Sequence, residues 1–391
     1  MTGMSLPLKT EFLGDRSALF SFGLKLSVFT VLTLGIYRFW MKTRLRRWYW
    51  SAIRPGGHPL EYTGEALEKL LGFLIAVVFL SFYIGVFNLI LMFFSFTLLN
   101  DNFAAYAISF IAVIPILFFA QYRARRYILA RTRWRGIRFG LQPAAWRYSA
   151  FAILMWVLTI ISLGALWPLM TFQLEKFRTN RTWFGTARLT QGGKWYRLIP
   201  PALPALLGLW ATLALGVYGA LEEDPAAIGG MLLTLPLTAI GWVHYKVAAF
   251  RYLTSQKQIG DMVALSSAPR TPRVLGIYLL GGLAISMILS AVAAVVGTVV
   301  VSVFLAAGAA ESIEETSPWL AIPVGLLGYF SIFVFWDVLT QVFIRLPLLQ
   351  HYSETLEIED PHALTRFAQR ARDESVDAGG FAEALDVGAA I

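Results

Sequence analysis

The feature that most constrains this chain is a series of apolar runs too long for the core of a water-soluble domain. Runs of about 18 or more apolar residues have the length that crosses bilayer hydrocarbon. Of 391 residues, 57% are hydrophobic and 15% are charged, whereas soluble domains average about a quarter charged residues. The pattern therefore predicts a polytopic helical membrane protein. The six predicted transmembrane spans are 68–99, 103–121, 199–221, 227–249, 274–308 and 319–349.

The charge between the apolar runs predicts which side of the membrane each segment faces. Four segments are rich in Lys and Arg, and three short connectors contain neither. Because positive loops remain in the cytoplasm, we expect the basic segments and both termini inside and the connectors outside. The net charge of +9 then matches an anionic lipid leaflet, and nucleic acid is not expected as a partner. The basic segments are 41–66, 122–148, 175–198 and 250–273, and the connectors are 100–102, 221–226 and 309–318.

Two further apolar segments, 17–40 and 149–172, have basic material at both ends and should therefore not cross the membrane an odd number of times. Each contains a glycine break, and Gly35 and Gly164 lie 129 residues apart (164 − 35 = 129). We interpret them as re-entrant or interfacial elements produced by an internal duplication. The alternative is eight spans with one arginine-rich loop outside. The corresponding divisions are a first repeat at 1–148, a second at 149–273, a helical hairpin at 274–349 and a cytoplasmic tail at 350–391.

Short alternating runs in the cytoplasmic segments predict a small layer of β-strands beneath the helices. The alternative is a set of unrelated surface loops. The predicted fold class is thus an all-α polytopic membrane protein with about six transmembrane helices, two broken re-entrant or interfacial elements and a small strand layer. The predicted strand regions are 12–13, 57–62, 136–139, 185–189, 260–265 and 354–359.

Polar side chains within apolar runs are costly in hydrocarbon and so indicate candidate functional positions. Asp337, Gln341 and Arg345 recur at intervals of four residues, which places them on one helical face. They predict a polar pathway opening to the cytoplasm. The alternative is a structural ion pair, or an arginine that reaches the membrane edge. Further candidates for this pathway are His244, Lys25 and Asn88, and the candidate helix breaks are Gly35 and Gly164.

Basic and aromatic residues alternate in several segments near the predicted membrane surface. Trp and Tyr favour the headgroup level and guanidinium groups match phosphate, so these segments predict either membrane anchoring or binding of anionic lipid headgroups. Small residues between 281 and 310 favour a helix interface, within the chain or in a homo-oligomer. The candidate headgroup or anion ligands are Arg46, Arg47, Trp48, Arg125, Arg126 and Arg251.

The sequence contains no recognisable constellation for catalysis or metal binding. It has no cysteine, and its four histidines lack metal-binding spacing. Neither a nucleophilic triad nor a phosphate-binding glycine loop is evident. We therefore expect no metal, no cofactor and no enzymatic activity.

Several stretches of the sequence together carry a family resemblance: Phe12-x-Gly14, Leu32-Thr-Leu-Gly-Ile-Tyr-Arg-Phe-Trp40, Arg46-Arg-Trp-Tyr49, Tyr62-Thr-Gly64, Thr132-Arg-Trp-Arg-Gly-Ile-Arg-Phe139 and Gly380-Phe-Ala-Glu-Ala-Leu-Asp-Val387. They resemble the bacterial YjgN-type family, a membrane family of unknown function. The resemblance covers nearly the whole chain and implies a multi-pass protein of the bacterial inner (cytoplasmic) membrane, but it implies no reaction or substrate. The second glycine break, Ser162-Leu-Gly-Ala-Leu-Trp167, departs from the pattern of the first.

Two functional hypotheses remain open from the sequence. Broken helices at matching positions of two repeats are typical of transport sites, which favours a transporter or channel-like protein with a path near Gly35, Gly164 and the Asp337 face. The alternative is a non-transporting scaffold that binds anionic lipid or a protein partner through its basic cytoplasmic face.

Overall fold

The computed structural model describes residues 6–98, 102–260, 262–306 and 318–371. These residues form five helical hairpins attached to one β-sheet. The helices are α1 (Arg16–Leu32), α2 (Arg38–Ala52), α3 (Ala66–Leu98), α4 (Asn102–Ala130), α5 (Ala145–Ile161), α6 (Trp167–Thr179), α7 (Ile199–Glu222), α8 (Pro225–Ser255), α9 (Thr271–Ala306), α10 (Pro318–Thr340) and α11 (Leu346–Glu354). The strands are β1 (Leu8–Phe12), β2 (Ile53–Pro55), β3 (Leu60–Tyr62), β4 (Thr132–Trp134), β5 (Ile137–Leu141), β6 (Thr182–Phe184), β7 (Ala187–Gln191), β8 (Lys257–Ile259), β9 (Val263–Ser267) and β10 (Leu356–Ile358).

The ten strands form a single antiparallel sheet that nearly closes on itself, and we call it the ring. Its order is β2-β1-β10-β9-β8-β7-β6-β5-β4-β3, so the two strands at its open edges are consecutive in sequence. Strand β1 joins the two ends of the chain because it pairs with both β10 and β2. The expectations of an all-α fold and a small strand layer were therefore wrong.

The reason for this error lies in strand length. All six strand regions expected from the sequence overlap strands of the ring, the first by Phe12 alone, but most cover only one arm of a hairpin. In the β4–β5 hairpin, for example, β5 was expected, whereas its partner Thr132–Trp134 has three residues. Three residues are too few to show an alternating pattern. Strands β2, β4, β6 and β8 have three residues each and fall outside the expected regions, whereas β3 and β10, of the same length, lie within longer alternating runs.

Each helical hairpin begins and ends at the ring. Strand β5 precedes α5 and pairs with β6, which follows α6. The same arrangement holds for the other four hairpins, since β1 pairs with β2, β3 with β4, β7 with β8 and β9 with β10. Because the paired strands are neighbours in one sheet, the two ends of every hairpin lie on the same side of the molecule.

Within the described residues, five helical segments are long and apolar enough to cross a membrane, as a helical membrane protein requires. The expected sixth span, 103–121, lies in α4, where the side chains of residues 102–110 are outside the described set. The connectors expected at 100–102 and 309–318 also lie almost entirely outside the described residues. The five segments are Ala66–Phe94, Trp195–Glu222, Pro225–Ser255, Thr271–Val299 and Gly328–Glu354.

The two hairpins that contain the glycine breaks are short. Helices α1 and α5 have 17 residues each, about 25 Å of helix, against about 30 Å of bilayer hydrocarbon. Their turns share one backbone geometry, with φ values of +91° at Gly35 and +88° at Gly164. In both turns the glycine N–H donates a 2.7 Å hydrogen bond to a threonine carbonyl, that of Thr30 or Thr159.

The buried apolar residues form several clusters near the ring rather than one central core. One cluster lies inside the ring and includes Trp134, Phe184 and Val263. Another joins α1 and α2, through Leu19, Tyr49 and Leu346, to the continuous helical path from α10 to α11, which we call the last helix. The long helices extend beyond these clusters and expose most of their apolar side chains. In four of the five candidate spans, only 11–17% of the residues in the most apolar stretch are buried.

Candidate functional site

A chain of hydrogen-bonded polar side chains lies between the first hairpin and the last helix, and we call it the seam. The Ser27 hydroxyl of α1 donates to the Asp337 carboxylate of α10 at 3.5 Å. The Gln341 side chain also hydrogen-bonds to Asp337, and its Oε1 accepts a 2.9 Å bond from the Tyr49 hydroxyl of α2. Ser27, Tyr49 and Gln341 are at most 5% exposed, so most of the seam is buried.

Local helix geometry positions the seam. After Thr340 the helix widens into a π-helical segment, Gln341–Arg345, before α11 resumes the path. π-helical turns occur frequently at functional sites. The segment is held from the other side by α9, because a side chain at Gly281 would meet the Phe343 carbonyl at 2.7 Å. Only glycine allows α9 to approach the widened turn this closely.

The seam extends from the middle of the first hairpin towards the ring. Ser27 lies 11 residues beyond Arg16, the first residue of α1, a rise of about 16 Å. Tyr49, in contrast, is three residues from the ring end of α2. The seam thus connects the interior of the helical layer with the ring side.

Two guanidinium groups interact with the negative charge of the Asp337 carboxylate in the seam. Arg345, at the end of the π-helical segment, and Arg38, at the start of α2, interact electrostatically with the Asp337 carboxylate. Asp337 is partly buried, and a carboxylate shielded from water is stabilised by such partners because an isolated charge in an apolar interior is strongly disfavoured. The seam therefore combines one carboxylate, two neighbouring cations and neutral hydrogen-bonding groups.

The other residues predicted for the pathway lie elsewhere. Lys25 is on an exposed part of α1. His244 contacts the Thr271 hydroxyl at 3.3 Å through Nδ1, where α8 meets the start of α9. Asn88 lies in α3, but its side chain is outside the described set. Of the six predicted pathway residues, the structure brings together Asp337, Gln341 and Arg345.

The glycine breaks do not form part of a polar surface. A side chain at Gly35 would meet no atom within 4 Å. Around it, Leu32, Leu34 and Ile36 are 56–88% exposed. Ile160, Ile161 and Leu163 are similarly exposed at the second turn. Both turns therefore present apolar side chains to their surroundings.

The six predicted headgroup ligands have different environments. Arg46 is only 4% exposed and stacks over the Tyr62 ring at 5.3 Å, while Arg47 donates to the Gly64 carbonyl at 2.8 Å. Trp48 packs against the cluster that joins the first hairpin to the last helix. Arg251 is exposed on α8. Arg125 and Arg126 lie near the ring end of α4, and each interacts electrostatically with the Tyr122 side chain.

Sequence reasoning did not identify the cluster around Glu175 as a site. This carboxylate of α6 contacts Lys257 of β8 at 2.6 Å, Arg178 at 2.8 Å and Arg125 of α4 at 3.9 Å. Burial raises the pKa of Glu175, but the three cations outweigh that effect and hold it well below its usual range. The available signal was that Glu175 is the single acidic residue of the basic segment 175–198. Ser27 and Tyr49 carried no comparable signal.

The described part of the chain contains no group of three or more His, Asp or Glu side chains that could hold a metal ion. The chemistry of the seam is therefore that of hydrogen bonding and charge pairing. It suits the binding of a small polar solute or ion, or the movement of a proton along the hydrogen-bonded chain.

The fold and the seam together define a polytopic helical membrane protein whose hairpins share one ring of strands. The family described as "Bacterial protein of unknown function (DUF898)" matches residues 7–375, and the chain belongs to this family. This match confirms the resemblance to YjgN-type proteins. No curated protein and no solved structure matches the chain.

Proposed function

We propose that this protein is a transport protein of the bacterial inner membrane and that the seam is the solute- or ion-binding part of its pathway. The observation that carries the proposal is the partly buried Asp337 carboxylate, hydrogen-bonded to Ser27 and Gln341 just before a widened helical turn. Ionisable groups within membrane segments are rare and typically mark ion or substrate pathways.

The proposed orientation places the ring in the cytoplasm. Basic residues occur on most of its strands, and positive segments remain inside. The three hairpins with long helices then reach the outer side, and the two short hairpins re-enter and turn back within the bilayer. The basic residues on the strands are Lys9, Arg54, Arg133, Arg138, Arg188 and Lys257.

The apolar turns support a structural role for the two short hairpins, in which the turns contact lipid and do not line the pathway. Irregular backbone within a bilayer must have its hydrogen bonds satisfied by protein. In the first turn, Thr33 accepts from the backbone N–H groups of Ile36 and Tyr37, and the Gly35 N–H is satisfied by Thr30. These turns can therefore contact lipid. The proposed pathway follows the seam and does not pass over Gly35 or Gly164.

The matching hairpins support the proposed duplication, and the two hairpins differ in their contacts with the other helices. Helices α1 and α5, like β1 and β5, start 129 residues apart (145 − 16 and 137 − 8). Where the first copy packs on the last helix through the seam, the second packs on α8 through Trp167 and Trp242, whose ring centroids are 4.1 Å apart. The contact with a carboxylate thus belongs to the first copy, whereas the polar contact of the second is a 2.7 Å hydrogen bond from the Tyr245 hydroxyl to the Thr171 hydroxyl.

The transport proposal predicts that water and charged reagents reach the seam. The chain has no cysteine, so Ser27→Cys introduces a single thiol. We expect this thiol to react with a charged methanethiosulfonate from the ring side of inside-out vesicles. Leu19→Cys is the control, because Leu19 lies on the same helix, nearer the ring, with 0% exposure. Equal, negligible reactivity of the two thiols would contradict a polar pathway.

A scaffold that binds anionic lipid is the second candidate. It is favoured by the exposed side chains of Arg47 and Arg251 near the ring ends of their helices. Each basic group near an anionic surface contributes about 1 kcal/mol of attraction. A sealed seam in the thiol experiment would leave this scaffold function as the better account.

A further inference from the structure

The described chain continues beyond the last strand and crosses the mouth of the ring. At Asp360 the backbone adopts a left-handed conformation, with φ of +54°, and this redirects the chain after β10. A short 3₁₀ helix, Pro361–Arg366, follows. We call residues 361–370 the mouth segment.

Two apolar side chains anchor the mouth segment inside the ring. Leu364 is 4% exposed and Phe367 is 9% exposed, and both belong to the cluster that contains Trp134 and Phe184. The rings of Phe367 and Phe184 meet edge to face with centroids 6.3 Å apart. Without these two side chains the apolar interior of the ring would face water.

Hydrogen bonds fix the segment to a hairpin turn and to strand β5 of the ring. The Thr186 N–H donates to the Ala368 carbonyl at 3.0 Å, and the Ala368 N–H donates back to the Thr186 hydroxyl at 3.2 Å. The Arg138 N–H donates to the Gln369 side chain at 2.9 Å. The guanidinium of Arg370 lies 5.0 Å from the Trp183 ring.

The attachment is narrow. Leu364 and Phe367 are the buried residues of the mouth segment, and six of its other residues are exposed. A cavity of about 220 Å³ remains between the segment and the wall formed by Trp134, Arg135 and Ile137. The segment therefore covers the mouth without filling it. Such sparsely anchored segments open at a lower free-energy cost than the core around them.

We propose that the ring mouth is a binding site for a Leu-x-x-Phe peptide segment and that residues 361–370 of the same chain occupy it as a reversible plug. Release of the plug opens the apolar interior of the ring to the cytoplasmic side. This inference does not depend on transport through the seam, because the contacts of the plug lie within the ring and its hairpin turns.

Two glycines at equivalent hairpin turns provide a matched test. Gly185 and Gly136 both have positive φ, +54° and +77°. A side chain at Gly185 would collide with the Ala368 carbonyl and also with the Ile137 side chain of the ring, whereas one at Gly136 would meet nothing within 4 Å. Gly185→Ala should therefore displace the plug. Gly136→Ala imposes similar backbone strain without touching the plug.

Release is measured by the labelling rate of Val263→Cys with a water-soluble maleimide on the full-length protein in detergent. Val263 is 0% exposed inside the ring. We expect labelling about tenfold faster with Gly185→Ala than with Gly136→Ala. Loss of the burial of one aromatic side chain, here Phe367, changes an opening equilibrium by about this factor. Equal rates in these two backgrounds would overturn the proposal.

A second pair of variants decides the question if Gly185→Ala does not fold. Phe367→Ala removes an anchor and leaves the hairpin turns intact, so it should accelerate labelling of Val263→Cys to a similar degree. His362→Ala is the control, because His362 is exposed on the same segment. If Phe367→Ala labels no faster than His362→Ala, the segment is a fixed part of the ring and not a plug.

Discussion

Glu175 is the residue at which three hairpins meet. Its carboxylate lies on α6, and its cationic partners come from α4, from α6 itself and from β8, which follows α8. Partners from three hairpins can approach one carboxylate only when the ring is assembled. Such a cluster contributes to a specific arrangement of the hairpins, because removal of one member leaves the remaining charges uncompensated.

Glu175→Gln should lower the free energy of unfolding by about 3 kcal/mol at pH 7, since Lys257 and Arg178 lose their counter-charge in a buried site. Unfolding in detergent micelles, followed by circular dichroism, measures the change. Glu61→Gln is the control, because Glu61 is exposed on β3, and surface substitutions usually change stability by less than about 0.5 kcal/mol. Equal stability of the two variants would show that the cluster does not hold the hairpins together.

The lowered pKa of Glu175 also gives the wild-type protein an acid-sensitive stability. A carboxyl whose pKa is depressed on folding stabilises the fold above its unfolded pKa and loses that contribution as the pH falls through its folded pKa. The wild type should therefore lose stability relative to Glu175→Gln as the pH falls below about 4.5, the usual pKa of Glu. Parallel stability curves for the two proteins would contradict this origin.

At the level of elements, the short hairpins depend on their glycine turns. The backbone at Gly35 and Gly164 adopts φ values near +90°, which side chains with a Cβ atom rarely tolerate. Each preceding residue, Leu34 or Leu163, also has positive φ at about +50°. Two consecutive left-handed residues reverse the chain within a few positions, so α2 and α6 return alongside their partners.

Gly35→Ala and Gly164→Ala should each lower stability by about 1–3 kcal/mol because both force a Cβ atom into this backbone conformation. The effects should be similar, since the two turns share the same hydrogen bonds. Gly282→Ala is the control. Gly282 lies within helix α9 with open space around it, so alanine should stabilise by about 0.5–1 kcal/mol. A neutral effect at both turns would indicate that the hairpins do not require this geometry.

The turns also show which elements a sequence can reveal. Gly35 and Gly164 interrupt long apolar runs, so the breaks and their 129-residue separation (164 − 35) were readable directly. The ring was only partly predictable. Strands of three residues such as Thr182–Phe184 carry no periodicity, and their pairing depends on partners far away in the chain, as in β1 with β10.

Two of the four hydrogen-bonded residues of the seam could be predicted from the sequence, and the other two could not, for a related reason. Asp337 and Gln341 are conspicuous in an apolar helix and share one face through local spacing. Their partners Ser27 and Tyr49 come from the opposite end of the sequence. Serine and tyrosine are ordinary residues in apolar helices. The fold alone brings these groups together, by placing the first hairpin against the last helix.

At the level of the whole molecule, the fold exposes more surface than a water-soluble protein of its size. The accessible surface is 22400 Å² for 43.6 kDa, whereas a soluble monomer of this mass exposes about 15,000 Å². Many of the exposed large side chains are apolar and lie on long helices, as with Phe82, Leu89 and Leu232. The excess surface is consistent with hairpins that extend from the ring into lipid.

The central claim is that all ten strands lie on the cytoplasmic side of the membrane and that the two short hairpins do not cross it. Labelling of single cysteines in intact cells with an impermeant thiol reagent tests this claim most directly. Glu222→Cys, at the far end of a long hairpin, should be labelled from outside. Arg135→Cys, in a ring turn, should be labelled only after permeabilisation. Leu34→Cys and Leu163→Cys, at the short turns, should remain unlabelled from outside. Labelling of either short turn in intact cells would show that its hairpin crosses the membrane and would contradict the proposed arrangement.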